Sequence, residues 1–233
     1  MEKILLSRYL TRNNIELPYP RPSRGSIAAF FESMTDKDWQ EIIWRKVEKR
    51  VFGLQKRIYK ATQAGCLSRA LSLTKLLLRS SSSVLLNIRR VTQDSSGKKT
   101  AGVDRKTYLN VTARRQLAKQ LMALAKEGWK KYQTNAIRRV YIPKANGKRR
   151  PLGILTKRDA VVQGVFKTAL EPFWEAKFEG ESFGFRPAYR THDAIQAIFN
   201  SIKQRQKWVL DAEGPSIGEI NFTNRRVPYR RWP

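Results

Sequence analysis

Residues 138–154, "RRVYIPKANGKRRPLGI", constrain the fold more tightly than any other stretch of the chain. The runs "RRVYIP" and "RRPLGI" read as two short strands, because Val140 and Ile142, then Leu152 and Ile154, take alternate positions. Asn146-Gly147 lies between them and suits a tight turn that needs positive φ, so an antiparallel hairpin is expected. Lys144, Lys148, Arg149 and Arg150 crowd its tip. A tight turn leaves backbone N–H groups exposed, arginine adds a planar fork for phosphate, and lysine adds a point charge. Such a tip suits a triphosphate or a nucleic-acid backbone. The alternative is a solvated basic turn whose lysines block strand pairing at an edge. The residues alone leave both readings open.

The charge balance favours a polyanionic partner. Forty-seven Lys and Arg stand against 19 Asp and Glu, a net charge of +28 with a pI near 10.8. A folded chain with that excess repels itself unless an anion neutralises it. Nucleic acid is the first candidate, since each neutralised phosphate releases condensed counterions. An anionic membrane surface is the second. No apolar run approaches the roughly 18 residues of a spanning helix, and no segment reads as a signal peptide. The hydrophobic share of 41% is enough for a real core. Cys66 is the only cysteine, which excludes a disulfide framework or a zinc cluster. A soluble protein of a reducing compartment is expected.

Four segments follow from the pattern, and together they predict an α+β chain. Residues 1–37 are irregular, with three prolines and a glycine in "ELPYPRPSRGS". Residues 38–91 form a basic helical module. Within it Ile43, Val47, Val51, Leu54 and Ile58 recur at helical spacing, with Lys46, Lys49, Arg50, Lys56, Arg57 and Lys60 on the other face. Ala64-Gly65 breaks that helix, a second follows with Leu67, Leu71, Thr74 and Leu78 as its stripe, and the serines of "RSSSS" loosen the chain before a third. Residues 92–212 open with a polar, Gly-rich loop carrying Lys98 and Lys99. A helix over 107–131 comes next, its face made by Leu109, Ala113, Leu117, Leu121 and Leu124, and then the hairpin. Thr156 with Asp159 three residues on resembles a capping box, so a helix is expected over 157–170, ending at Pro172. A turn-rich connector, a helix over 193–206 and a short buried strand, "KWVLDA", complete the segment. Residues 213–233 show no assignable periodicity.

Several residues carry candidate chemistry. In "SFGFRP" (182–187), Phe183 and Phe185 flank Gly184 beside Arg186, which allows base or sugar stacking next to a phosphate-binding cation. The alternative has both rings in the core and Arg186 paired with a nearby acid. Asp211 ends an apolar strand, a usual place for a metal-binding carboxylate, yet one carboxylate does not make a phosphoryl-transfer site. His192, the only histidine, reads as a helix-start or packing residue. Trp39, Trp44 and Trp129 read as core anchors.

The run from Arg138 to Ile195, with "IPKANGKRRPLGI" and "SFGFRP", strongly resembles the fingers region of group II intron reverse transcriptases, the intron-encoded maturases of bacteria and organelles. Upstream, "LLNIRRVTQDSSGKKTAGVDRKT" is similar to the block-zero loop of that family, and the basic helices from Trp44 onward are similar to its N-terminal domain. The resemblance implies that Lys144 and Arg150 grip the triphosphate of an incoming nucleotide, with Phe185 and Arg186 near the nucleotide and template. It also implies that the block-zero loop lies against the template and that the helical cations hold structured intron RNA. In fold terms, it implies a helical N-terminal module followed by an incomplete fingers-and-palm unit.

The resemblance lapses after Ala212. The position at which the family carries a Mg²⁺-binding aspartate is Glu213 here, and the block with the Tyr-Ala-Asp-Asp signature is not found in these 233 residues. The expectation is therefore a chain with no catalytic residues and no metal site of its own, Mg²⁺ belonging to the complete family enzyme. Residues 213–233 then read as a divergent or frameshifted tail. The leading expectation is an RNA-binding fragment that binds group II intron RNA, with DNA as a further partner and no membrane, and that does not polymerise alone. The alternatives are half of a split RNA-directed DNA polymerase completed by a palm-and-thumb polypeptide, or a non-functional relic. The family setting implies the cytoplasm of a bacterium of cyanobacterial flavour, or an organelle that encodes the protein.

Overall fold

A computed structural model describes residues 35–143, 147, 149–203, 208–213 and 221–226. They fall into two compact units: residues 35–52 with 75–167, and residues 53–74 with those from 168 onward. Helices α1 (Asp36–Gln40), α2 (Trp44–Gln63), α3 (Leu67–Leu78), α4 (Ser81–Arg89) and α5 (Val111–Lys126) precede the hairpin β1 (Arg138–Pro143) and β2 (Arg149–Ile154). Helices α6 (Lys157–Glu175) and α7 (Thr191–Ile202) follow, then strands β3 (Trp208–Glu213) and β4 (Asn221–Arg226). The described residues, mostly helical with two two-stranded antiparallel sheets, have the expected α+β class.

In the first unit the core is built from Val51 of α2, Leu77 of α3, Val84 and Ile88 of α4, Leu117 and Leu121 of α5, and Val161 and Val165 of α6. Asn110 caps α5, its Oδ1 accepting the Ala113 N–H at 2.8 Å. That cap starts the helix at Val111 rather than 107, and Leu109 stays outside and exposed. Trp39 and Trp129 are buried, as anchors should be. Trp44 lies edge-on to Trp39 at 5.6 Å and carries the Arg89 guanidinium over its ring.

Three expectations about the helices need correction. The buried stripe of α3 is Ala70, Leu73, Thr74 and Leu77, while Leu67 and Leu71 are exposed. The helix is leucine-rich on most of its circumference, so spacing alone admits either phase. Ser81–Ser83 do not loosen the chain but form the first turn of α4, with Ser82 and Ser83 buried. Finally, α6 runs through Pro172 to Glu175. A helical proline removes the N–H that would bond the carbonyl four residues back. Here that carbonyl, on Thr168, accepts a hydrogen bond from Gln55 Nε2 at 2.9 Å. Gln55→Met is accordingly expected to lower stability by about 1–3 kcal/mol, the cost of depriving a buried acceptor of a donor. A denaturant melt measures it, and an unchanged midpoint would show that the helix tolerates Pro172 without this bond.

The hairpin pairs in the register Val140↔Leu152 and Ile142↔Arg150, and Gly147 takes φ 75° in its turn. Every residue of β1 and all but the last of β2 are exposed, so the ribbon projects from its unit rather than covering the core. In the second unit β3 and β4 pair antiparallel, Asp211 facing Thr223 and Glu213 facing Asn221. The tail, expected to be without pattern, thus contributes a strand over Asn221–Arg226.

Candidate nucleic-acid interface

Helix α2 separates its charges from its core contacts. At 100° per residue, Val47, Val51 and Ile58 fall within about 40° of one another, while Lys46, Lys49, Arg50, Lys56, Arg57 and Lys60 span about 120° on the opposite side. The first three are buried. Among the six cations Lys49, Arg50, Arg57 and Lys60 are exposed, and Lys46 and Lys56 are half-buried. No acid lies in the first turn of the helix.

The loop from Gln93 to Asn110 is tied down rather than loose. A π-helical turn, Arg90–Asp94, and a 3₁₀ turn, Ser96–Lys99, open it. Ser95 Oγ accepts the Gly97 N–H at 3.2 Å, and Lys157 Nζ donates to the Gly97 carbonyl at 2.7 Å. Gly102 lies against the backbone at the start of α6, where a Cβ would come within 2.7 Å of the Leu155 carbonyl oxygen. Arg114 donates to the carbonyls of Tyr108, Leu109 and Thr92, and burial lowers its pKa. Lys98 and Lys99 are exposed on this anchored loop, with Lys98 Nζ also donating to the Gln93 carbonyl.

The two ends of the hairpin are tied at one buried node. Asp159, 2% exposed, accepts from the hydroxyls of Tyr132 and Thr156 at 2.5 Å each and from the backbone and side-chain N–H groups of Asn135 at 3.4 Å each. Its own N–H donates to Thr156 Oγ1 at 3.0 Å, which completes the expected cap of α6. Burial pushes the Asp159 pKa up, but the hydrogen bonds from Thr156, Tyr132 and Asn135 outweigh it and hold the carboxyl below its ordinary range. Burial first, then the bond to Asp159, raises the Tyr132 phenol. Sequence reasoning found the Thr156–Asp159 cap and missed Tyr132 and Asn135, whose separations of 27 and 24 residues leave no local signal.

Arg150 is exposed on β2 opposite Ile142, where its guanidinium can meet an anion. Lys144 lies outside the described residues. Phe185 is fully exposed and takes φ 58°, whereas Arg186 is turned inward. Arg186 makes a two-pronged pair with Glu175, Nη2 to Oε1 at 2.6 Å and Nε to Oε1 at 3.1 Å, and its Nη1 donates to the carbonyls of Glu179 and Ser182. Its guanidinium stacks on Tyr189 at 4.5 Å. The ion pair with a nearby acid is thus present, while Phe185 lies outside the core. Phe183 packs edge-on against Tyr189. His192 lies in the first turn of α7, which is capped by Asp193 accepting the Arg190 N–H. Among the described residues no cluster of three or more His, Cys, Asp or Glu converges as a metal site, and no helix is long and apolar enough to cross a membrane.

Comparison with known proteins identifies this architecture. Residues 39–121 match the family described as the N-terminal domain of reverse transcriptase. The chain is 33% identical over 176 residues to Maturase-like protein 1 of Euglena gracilis, which covers 74% of this chain and 38% of that protein. It is 41% identical over 129 residues to Protein YkfC of Escherichia coli, 53% of this chain and 33% of that protein. It is also 40% identical over 81 residues to the group II intron-encoded protein LtrA of Lactococcus lactis, 34% of this chain and 13% of that protein. Helices α1 to α4, the anchored loop and the start of α5 are thus a reverse-transcriptase N-terminal domain. More narrowly, the chain carries the N-terminal region of a group II intron reverse transcriptase/maturase, and it spans between about a third and two fifths of the first two relatives.

Proposed function

We propose that this chain binds group II intron RNA through its N-terminal helices and anchored loop, and that by itself it does not polymerise DNA. The observation that carries the reading is α2, where six cations cover the side opposite the buried stripe, in a chain of net charge +28. Cations on one face of a helix can track a phosphate backbone. Arg150 and Phe185, with Lys144, are assigned to the nucleotide end of the site, the cation for phosphate and the exposed ring for stacking. Mg²⁺ would supply transition-state charge stabilisation in the complete enzyme, held by carboxylates that the described residues do not bring together. DNA is a further ligand of the same cationic surface. A palm-and-thumb polypeptide is the partner that would restore synthesis. The setting is a bacterial cytoplasm or an organelle that encodes the protein.

The test is binding to a group II intron RNA against an equal mass of unrelated structured RNA over a salt series. A specificity ratio above about ten at physiological salt is expected. Replacing Lys49, Arg50, Arg57 and Lys60 together by alanine should weaken binding and flatten the log-affinity against log-salt slope by about 3, at roughly 0.7–0.9 for each phosphate that is no longer neutralised. A ratio near one would reduce the interaction to non-specific phosphate attraction and overturn the intron assignment.

A further inference from the structure

We propose that a cleft between the end of α5 and the middle of α6 takes an unstacked nucleobase of the bound RNA. The cleft measures about 320 Å³ and is lined by Trp129, Tyr132, Thr134, Val162, Gln163 and Phe166. That is the lower end of the range for small-ligand sites, and the pattern of aromatic walls with a few polar groups is the usual one. Thr134 and Gln163 provide a hydroxyl and an amide for the edge of a base, and the amide can both donate and accept.

The walls are held rigidly. Gly128 and Trp129 both adopt left-handed backbone, φ 74° and 66°, a conformation that costs a tryptophan free energy and persists only when its surroundings enforce it. Trp129 Nε1 donates to the Leu78 carbonyl at 2.9 Å, which fixes the indole. The Tyr132 hydroxyl is bound to Asp159, and the Arg158 guanidinium covers its ring at 5.0 Å. Phe166 sits 6.0 Å from Trp129, too near for a base to enter between the two rings, so the base lies on Phe166 from the open side, backed by the buried Trp129. Phe166 itself is 36% exposed and half presents its ring.

Charge decides the class of occupant. None of the six lining side chains is an acid or a base of ordinary charge, and the carboxylate that holds the Tyr132 hydroxyl, Asp159, is buried. Lys130 and Lys131, both exposed, stand in the chain between two of the lining residues, Lys131 also pairing with Glu127 at 3.2 Å. An aromatic floor with a cationic rim matches a base with its phosphates, and stacking of this kind is tolerant of sequence. This inference rests on the RNA-binding reading above but concerns a different surface from α2.

The test uses two eight-residue RNA oligomers of equal charge, oligo(A) and its abasic ribose-phosphate counterpart. The intact chain should bind oligo(A) about tenfold or more tightly than the abasic oligomer, the scale of one stacked base. Phe166→Ala should bring that ratio down several-fold and leave abasic binding unchanged. In the unaltered chain, oligo(A) bearing one 4-thiouridine should photocrosslink to Trp129, Tyr132 or Phe166, as mapped by mass spectrometry. Equal binding of the two oligomers would overturn the cleft while leaving the RNA-binding reading standing. A base preference that Phe166→Ala does not change, with crosslinks elsewhere, would place the base on another surface and also overturn it. Binding of neither oligomer would overturn both readings.

Discussion

Replacing Asp159 by alanine is expected to destabilise the first unit by about 3 kcal/mol, or roughly 6–12 °C in melting temperature for a chain of this size. The carboxylate is buried and accepts from Tyr132, Thr156 and Asn135. Alanine removes the acceptor but leaves the hydroxyls of Tyr132 and of the buried Thr156 without their partner, and each buried orphan costs about 1–3 kcal/mol. Part of the α6 cap goes with it. Asp159→Asn keeps the shape yet turns two of the acceptor positions into donors that face other donors, so it should recover less than half of the loss. The pH dependence has a definite sign. The Asp159 pKa is lower folded than unfolded, so its contribution is complete above the unfolded value near 4 and disappears as pH falls through the folded one. The Tyr132 pKa is raised, so its contribution is complete below about 10 and is lost as pH rises through the folded value. Urea melts between pH 2 and 7 should show an acid limb that Asp159→Asn flattens. An identical acid limb in the two proteins would remove Asp159 as its source.

The same node marks the boundary of what the sequence could reveal. The hairpin was legible because alternation, Asn-Gly and flanking cations are all local. The α6 cap was legible because Thr156 and Asp159 are three residues apart. Tyr132 and Asn135 were not, since a polar residue that reaches a carboxylate across a loop looks like any loop residue. The path of α6 through Pro172 was hidden for the same reason: the Gln55 donor that replaces the lost N–H is 113 residues away. In α3 the failure was one of degeneracy, because Leu67, Leu71, Leu76, Leu77 and Leu78 offer more apolar positions than one buried stripe can hold. On the functional side, the cationic face of α2 was legible from periodicity. The Trp129–Tyr132–Phe166 cleft was not, since its rings come from the turn after α5 and from α6, on either side of the hairpin.

Arg186 separates a cation that serves the fold from one that serves a ligand. Its side chain is 7% exposed and that of Glu175 20%, and four of its five N–H groups point at Glu175 or at the carbonyls of Glu179 and Ser182. The hydrogen bond to Glu175 raises its pKa, so the guanidinium is charged at every accessible pH. Arg186→Ala is expected to cost about 3–5 kcal/mol, because it leaves a mostly buried carboxylate uncompensated. Arg186→Lys should recover little of that: an ammonium cannot span Glu175 and two carbonyls with the geometry of a planar fork. The consequence reaches Phe185, whose left-handed φ of 58° and full exposure depend on a turn that Arg186 ties from the inside. In Arg186→Lys the melting transition of the second unit should therefore fall, and protease cleavage after Phe185 should become faster. A variant that melts like the parent but binds nucleotide more weakly would show instead that Arg186 leaves Glu175 to meet the ligand, and the turn would then be held by Phe183 and Tyr189 alone.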